Sequence, residues 1–213
     1  MASGRKLDYN HAMTNSFQDL IALVTLVIWP AIPLFWVPVH CLPRVFKKLG
    51  RFTYALPLIT WLPLAVLIVV QRSFLLQYRA ELPIVVNVLG GLLLFLGIAL
   101  QVWTLKLLTP GGIVGLPEVT EGMTGNMVTA GPFSVVRHPT YLSHTMMYFG
   151  VFLLTGVTAV GVASILDALA VNTLVIPLEE RELAERFGGE YEEYKKKVPS
   201  RFFPRFFRRA NLH

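Results

Sequence analysis

The sequence predicts an all-α integral membrane protein. The expected fold is a bundle of about five transmembrane helices, the last two forming a helical hairpin, followed by an amphipathic cytoplasmic helix. Three observations predict it. Hydrophobic residues make up 54% of the 213 and charged residues only 15%, where a soluble domain carries roughly a quarter charged; the mean hydropathy is +0.57. The apolar residues fall into stretches long enough to cross a bilayer. Lys and Arg gather on one side of those stretches. The chain is also too apolar, with too little net charge per residue, to be disordered. The single cysteine, Cys41, excludes a disulfide framework within the chain and a multi-cysteine metal site. A net charge of +6 would suit nucleic acid, but the positive-inside bias of a membrane protein accounts for the same charge, and no nucleic-acid partner is expected.

Residues 1–16 are mostly polar and read as an N-terminal arm. No small-residue cleavage site follows the first apolar stretch cleanly, so a signal peptide is not expected. That stretch runs from Phe17 to Val39, and Pro30, Pro33 and Pro38 should kink or break it. The second runs from Tyr54 to Val70 and the third from Ile84 to Leu105, so residues 17–105 should hold three transmembrane helices. A last apolar run, Tyr141 to Leu178, has 38 residues, too long for one span and just enough for two. Gly156 and Gly161, with Thr155 and Thr158, lie in its middle, so the chain should turn near Val157–Ala159.

Five spans place Arg5, Lys6, Arg72 and Arg79 on the N-terminal face and the remaining 15 of the 19 Lys and Arg on the other. The positive-inside rule makes that second face, with the C-terminus, cytoplasmic. The cluster Arg44, Lys47, Lys48 and Arg51 is the clearest part of the signal.

In an antiparallel hairpin with this turn, residues whose numbers sum to about 315–317 lie at equal depth. Arg137, His138, Glu179 and Glu180 then converge at one edge. Two readings follow: a polar pocket, or a ring of interfacial charges fixing the helix ends. Asp167 falls well inside the membrane, where an ionised carboxylate is costly. It either braces the hairpin, with Tyr148 as a partner, or contacts substrate. His144 and Asn172 read as interhelical hydrogen-bond partners. His138 and His144 are six apart and share no helix face well, so they make a poor metal pair.

Glu179 to Val198 reads as a helix with an apolar stripe, Leu183, Phe187, Tyr191, Tyr194 and Val198. Gly188-Gly189 should bend or break it. After Pro199, Arg201-Phe202-Phe203-Pro204-Arg205-Phe206-Phe207-Arg208-Arg209 mixes basic and aromatic residues, as a segment lying at the lipid headgroups would. Cys41 at the membrane boundary is open to palmitoylation or has no role.

The segment Gly131-Pro132-Phe133-Ser134-Val135-Val136-Arg137-His138-Pro139-Thr140-Tyr141-Leu142 resembles the Arg-His-Pro-x-Tyr signature of the isoprenylcysteine carboxyl methyltransferase family, whose wider group includes phospholipid N-methyltransferases. Glu179-Glu180 after the hairpin matches the second half of that signature. The Phe187-Gly188, Glu190-Tyr191, Tyr194 and Val198 pattern is also typical. The likeness runs from about Val128 to Pro204. It departs at Phe133 and Ser134, where the family often has Tyr and Arg, and it does not reach Thr109 to Asn126.

The resemblance implies a methyltransferase catalytic region over residues 106–213, with S-adenosylmethionine as methyl donor. Arg137, His138 and the entry to the fourth span, Pro139, Tyr141 and Leu142, would meet its carboxylate and neighbouring groups. Glu179 or Glu180 would meet its amino group or ribose. Adjacent helical residues point about 100° apart, so one of the two should make the full contact, and Glu180 is chosen. Leu183, Phe187, Tyr191 and Tyr141 would line a slot for adenine. Arg137, His138 and Glu180 are the expected catalytic residues. The acceptor is expected to be lipophilic, a prenyl-cysteine-like or other carboxylate, thiol or amine reached from the membrane lipid. Two further readings stay open: an NADPH-dependent membrane reductase on a related scaffold, and a non-enzymatic membrane protein.

Overall fold

The computed structural model describes residues 16–204 except 121 and 124. Of the expected N-terminal arm, only residue 16 is among them, and Arg205 to Arg209 lie outside them. The described chain is built from six principal helices. Helix α1 spans Ser16–Cys41 and α2 spans Pro43–Val70. Helix α3 is Ile84–Leu107 and α4 is Pro139–Thr155. Helix α5 spans Thr158–Phe187, and α6 is Gly189–Lys197.

Helices α1, α2, α3 and α5 are long and apolar enough to cross a membrane. Helix α4 has 17 residues, about 25 Å at 1.5 Å per residue and at the short end for a span. It runs along α3 as the first arm of the expected hairpin.

The prolines act as expected in α1. The helix is interrupted by a turn at Trp29 and Pro30 and resumes at Ala31, carrying Pro38 inside it. Residues 43–53, between the first two apolar stretches, are helical. Pro43 opens a helix at its first turn, where its missing N–H costs nothing. Lys47 and Lys48 fall in the last turn, on the favourable side of the helix dipole. Gly50 ends that helix at φ 55°, a conformation glycine adopts freely, and a 3₁₀ stretch, Gly50–Ala55, leads on into the membrane.

Helix α3 shows how one sequence serves lipid and protein together. Ile84, Val88, Leu92, Phe95 and Leu96 are exposed on it, as lipid-facing side chains should be. Gly90, Gly97 and Thr104 recur every seven residues and are buried. Against them α4 comes into backbone contact. A Cβ placed on Gly90 would lie 2.5 Å from the Leu154 nitrogen, and one on Gly150 2.6 Å from the Leu94 nitrogen. Small residues permit this approach, which gives membrane helices their packing contact in the absence of a hydrophobic drive between them.

The hairpin turns at Gly156-Val157, slightly before the expected place. Gly156 ends α4 at φ 69°, and a Cβ there would sit 2.5 Å from the Ala80 carbonyl oxygen. The segment before α3 closes over this turn. Ala80 N–H donates to Gly156 O and Thr158 N–H to Tyr78 O. Arg79 donates to Thr155 O and Gln18 and pairs with Asp19.

Asp167 is fully buried in α5, and neither carboxylate oxygen has a hydrogen-bond partner among the described residues. The expected bond to Tyr148 is not made; Tyr148 stacks on His144 instead. The expected interhelical role of Asn172 is also not seen, because its amide donates back along α5 to Ala168 O, 2.8 Å away.

Helix α5 has a feature that spacing did not suggest. Val171–Val175 forms a π turn between two α-helical halves. Pro177 lies two residues past its end. A proline there has no N–H for the carbonyl one turn back and would clash with it. Opening the helix by one residue relieves the clash, and Ile176 N–H is received by Val171 O.

Candidate functional site

Arg137 and His138 come immediately before α4, so the helix start at Pro139 fixes them at its mouth. Their backbones are held from outside the helix. Arg137 N–H donates to Ser200 O at 2.9 Å and His138 N–H to Arg201 O at 3.1 Å. The chain after Pro199 therefore folds back onto the motif. Within the segment expected at the lipid headgroups, Phe202 is instead buried against Tyr141, Val171, Val175 and Ile176, while Phe203 is exposed.

Glu180 lies at the centre of this arrangement. Its Oε1 receives Arg137 Nε at 2.8 Å and stands 2.7 Å from the other guanidinium nitrogen. The same oxygen lies 3.2 Å from His138 Nε2, and Oε2 receives Arg201 at 2.8 Å. Arg137 spends a further N–H on Val198 O at 2.7 Å. Two arginines and a histidine thus converge on one carboxylate, whose oxygens are both occupied.

Glu179, one residue earlier, points elsewhere. It lines a cavity of about 500 Å³, together with Arg137, His138, Tyr141, Leu183, Phe187 and Tyr191. Pro139, Leu142 and Glu180 do not line it, since Glu180 is turned into the ion cluster behind the wall. Glu179 Oε2 is buried without a hydrogen bond; His138 Nδ1 lies 3.7 Å from it. The Tyr191 hydroxyl is also buried and unbonded. Burial raises the Tyr191 phenol above its usual range, and Glu180 adds to the effect, so the group stays a neutral donor. Tyr194 next to it donates to Phe133 O at 2.7 Å, and burial pushes that phenol up to about 12.

The break expected at Gly188-Gly189 builds this wall. Gly188 takes φ 55° and stops α5, so α6 folds back with Tyr191, Tyr194 and Val198 buried among Met127, Leu183 and Phe187. The stripe read from the sequence is the packed face.

Spacing gave no sign of the opposite wall. The glycine-rich segment forms two short helices, Pro110–Ile113 and Leu116–Val119, and Gly112, Ile113, Pro117, Glu118 and Gly125 line the cavity. Glu118 ties this segment to α5 through Arg186, at 2.9 Å. Arg186 also stands 3.9 Å from Glu182, and Glu182 is bonded to His40 of α1 at 2.7 Å. Burial raises the Glu118 carboxyl, with Arg186 opposing the shift. A broader depression of about 660 Å³ lies among Asp19, Arg72 and Arg79 near the hairpin turn and holds none of the motif residues. No group of three metal-ligating side chains occurs among the described residues.

Residues 85–190 match the model of the phospholipid methyltransferase family. The match takes in α4, α5, Arg137, His138, Glu179 and Glu180 and ends just before Tyr191. The chain is similar to the cobalt-zinc-cadmium resistance protein CzcN of Cupriavidus metallidurans, with 32% identity over 48% of this chain and 52% of that protein. It is also similar to methanethiol S-methyltransferase 1 of Bradyrhizobium diazoefficiens, with 33% identity over 40% of this chain and 31% of that protein. It therefore spans about half the length of the first relative and under a third of the second. No solved structure matches the chain.

Proposed function

We propose, from the phospholipid methyltransferase match across residues 85–190, that this is an integral membrane methyltransferase using S-adenosylmethionine and a lipophilic acceptor. The observation that carries the reading is the cavity between the Arg-His-Pro loop, α5 and α6, whose wall includes Glu179 and Tyr191, with Oε2 of the first and the hydroxyl of the second buried and unbonded. An acceptor and a donor placed this way fit a cofactor rich in amino and hydroxyl groups. A cavity of about 500 Å³ is in the usual range for one ligand of that size.

When bound, S-adenosylmethionine supplies an electrophilic methyl group on a sulfonium. The chain supplies binding, orientation and exclusion of water. Glu179 and Tyr191 would hold the polar groups, while Leu183, Phe187 and Tyr141 would cover the adenine. Glu180 acts one step behind, holding Arg137 and His138 in place. The motif end faces the cytoplasm, where the positive-inside rule puts the Arg44 to Arg51 cluster.

The acceptor is a thiol on this reading. An acceptor carboxylate would need a cation, and the two arginines lining the cavity are bound to carboxylates already. An amine would enter as an ammonium, whose nitrogen has no lone pair to attack with until a base takes its proton. A thiol is neutral and soft. The likeness to a relative whose name gives methanethiol as its acceptor agrees with this.

Calorimetric titration of the detergent-purified protein with S-adenosylhomocysteine, with NADPH as control, tests the reading. Binding of the sulfur cofactor alone supports it. Binding of NADPH alone, or of neither, overturns it.

A further inference from the structure

The cavity extends from the motif residues to the helices of the bundle. Its inner wall is made by Ile32 and Trp36 of α1, Gln101 and Leu105 of α3, and Tyr141 and His144 of α4. His144 sits five residues into α4, about 8 Å below its start. The ring stacks on Tyr148 at 6.3 Å between centroids and 15° between planes, which fixes its orientation. Its Nδ1 is buried with no hydrogen-bond partner.

That state sets it apart from the other basic side chains of the cavity. His40 is bonded to Glu182, Arg186 to Glu118, and both Arg137 and His138 meet Glu180. Gln101, also on the inner wall, receives the Ser143 hydroxyl. Among the described residues, His144 is the one basic side chain lining the cavity that no carboxylate engages. The titratable and charged groups sharing the cavity with it are His40 of α1, Glu118 of the glycine-rich segment, Arg137 and His138 before α4, Tyr141 of α4, Glu179 and Arg186 of α5 and Tyr191 and Tyr194 of α6.

We propose that His144 is a catalytic residue that takes the proton from a thiol acceptor held at the inner end of the cavity. The proposal rests on the methyltransferase reading above. The acceptor sulfur gives an electron pair to the methyl carbon as the carbon–sulfonium bond breaks, and that bond's pair stays on the donor sulfur. The thiol proton goes to the imidazole and from there to water. One thiol and one sulfonium become two thioethers and one proton, with no oxidant or reductant. A neutral imidazole carries one lone pair for this purpose, and general-base assistance of this kind contributes about 10²–10⁴-fold.

The test compares wild type with His144→Gln and His144→Ala in three measurements. Affinity for S-adenosylhomocysteine by calorimetry should be unchanged in both variants. Affinity for a short alkanethiol, titrated without methyl donor, should fall about ten-fold, the loss of one hydrogen bond. Turnover of that thiol should fall at least about 100-fold at pH 7 with the KM for the donor unchanged. The variants' rate should then climb as the pH approaches the thiol's own pKa, near 8.5 for a cysteine-like thiol, and an aryl thiol of lower pKa should restore most of it. Variants with wild-type turnover and pH profile overturn the proposal. So does a wild-type protein that binds S-adenosylhomocysteine but methylates amines or carboxylates and not thiols. Failure of wild type to bind S-adenosylhomocysteine overturns the methyltransferase reading and the proposal with it.

Discussion

Glu179→Gln and Glu180→Gln should fail in different ways, although the two residues are neighbours. Glu180 bonds two arginines and a histidine, with its own side chain 10% exposed and that of Arg137 8% exposed. Removing one partner of a buried ion pair costs about 3–5 kcal/mol, because the other charge stays behind unpaired. The Arg201 contact adds little to this, since its side chain is half-exposed and solvent screens the pair. For a chain of this length, each kcal/mol moves the midpoint by about 2–4 °C, so Glu180→Gln should lower the apparent Tm in detergent by at least about 6 °C. Glu179 lines the cavity and has an unbonded oxygen, so its replacement leaves the Arg137–His138–Glu180–Arg201 cluster in place. It removes one hydrogen bond to a charged group from the ligand, about 1.5–3 kcal/mol, which is about 10- to 150-fold in Kd. Thermal unfolding and S-adenosylhomocysteine calorimetry on both variants read the two effects apart. A Glu179→Gln protein with wild-type affinity, beside a Glu180→Gln protein of wild-type stability that no longer binds, would refute the assignment.

Three further outcomes follow from the packing and charges. Gly90→Ala should lower the apparent Tm, because its new methyl meets the Leu154 backbone at 2.5 Å and overpacking costs about 1–3 kcal/mol. Gly91→Ala, whose nearest neighbour would be 3.9 Å away, should not, and equal effects would remove the glycine seam as the cause. Burial raises the Glu118 carboxyl in the folded protein, so the folded state holds that proton more tightly than the unfolded chain. Its contribution is present below the unfolded pKa and is lost as pH rises through the folded one. Glu118→Gln should therefore flatten the decline in apparent Tm above pH 4.5, and an unchanged slope would count against it. In a Cys41→Ser background, Lys48→Cys and Glu81→Cys should label with a membrane-impermeant thiol reagent from opposite sides; labelling from one side breaks the topology.

Much of this arrangement is legible in the residues. The 38-residue apolar run forces a hairpin, and the hairpin alone brings Arg137 and His138 level with Glu179 and Glu180. Gly188 announces the reversal that folds the Tyr191 stripe back. Which glutamate faces the cavity is not legible, because it depends on the rotational phase of α5. The π turn at Val171–Val175 sets that phase, and it arises from a clash at Pro177 that spacing does not display. Arg201 was hidden for another reason. Its mixture with phenylalanines is what an interfacial segment shows, and only the backbone bonds of Ser200 and Arg201 to Arg137 and His138 reveal that the chain returns to the site. The role of Glu118 depends on its meeting with Arg186, 68 residues away, which no local pattern encodes.

The π turn gives α5 a property that a uniform helix would lack. It divides the rod into a hydrocarbon-facing half and a ligand-facing half joined by one surplus residue. Deleting that residue would rewind the turn to α geometry and rotate Glu179 by about 100° against the hairpin, carrying it off the cavity wall. Conversely, the hydrocarbon-facing half can lengthen, shorten or tilt to match bilayers of different thickness while the joint absorbs the change in phase. The protein's fit to its membrane and its fit to its ligand can then change separately.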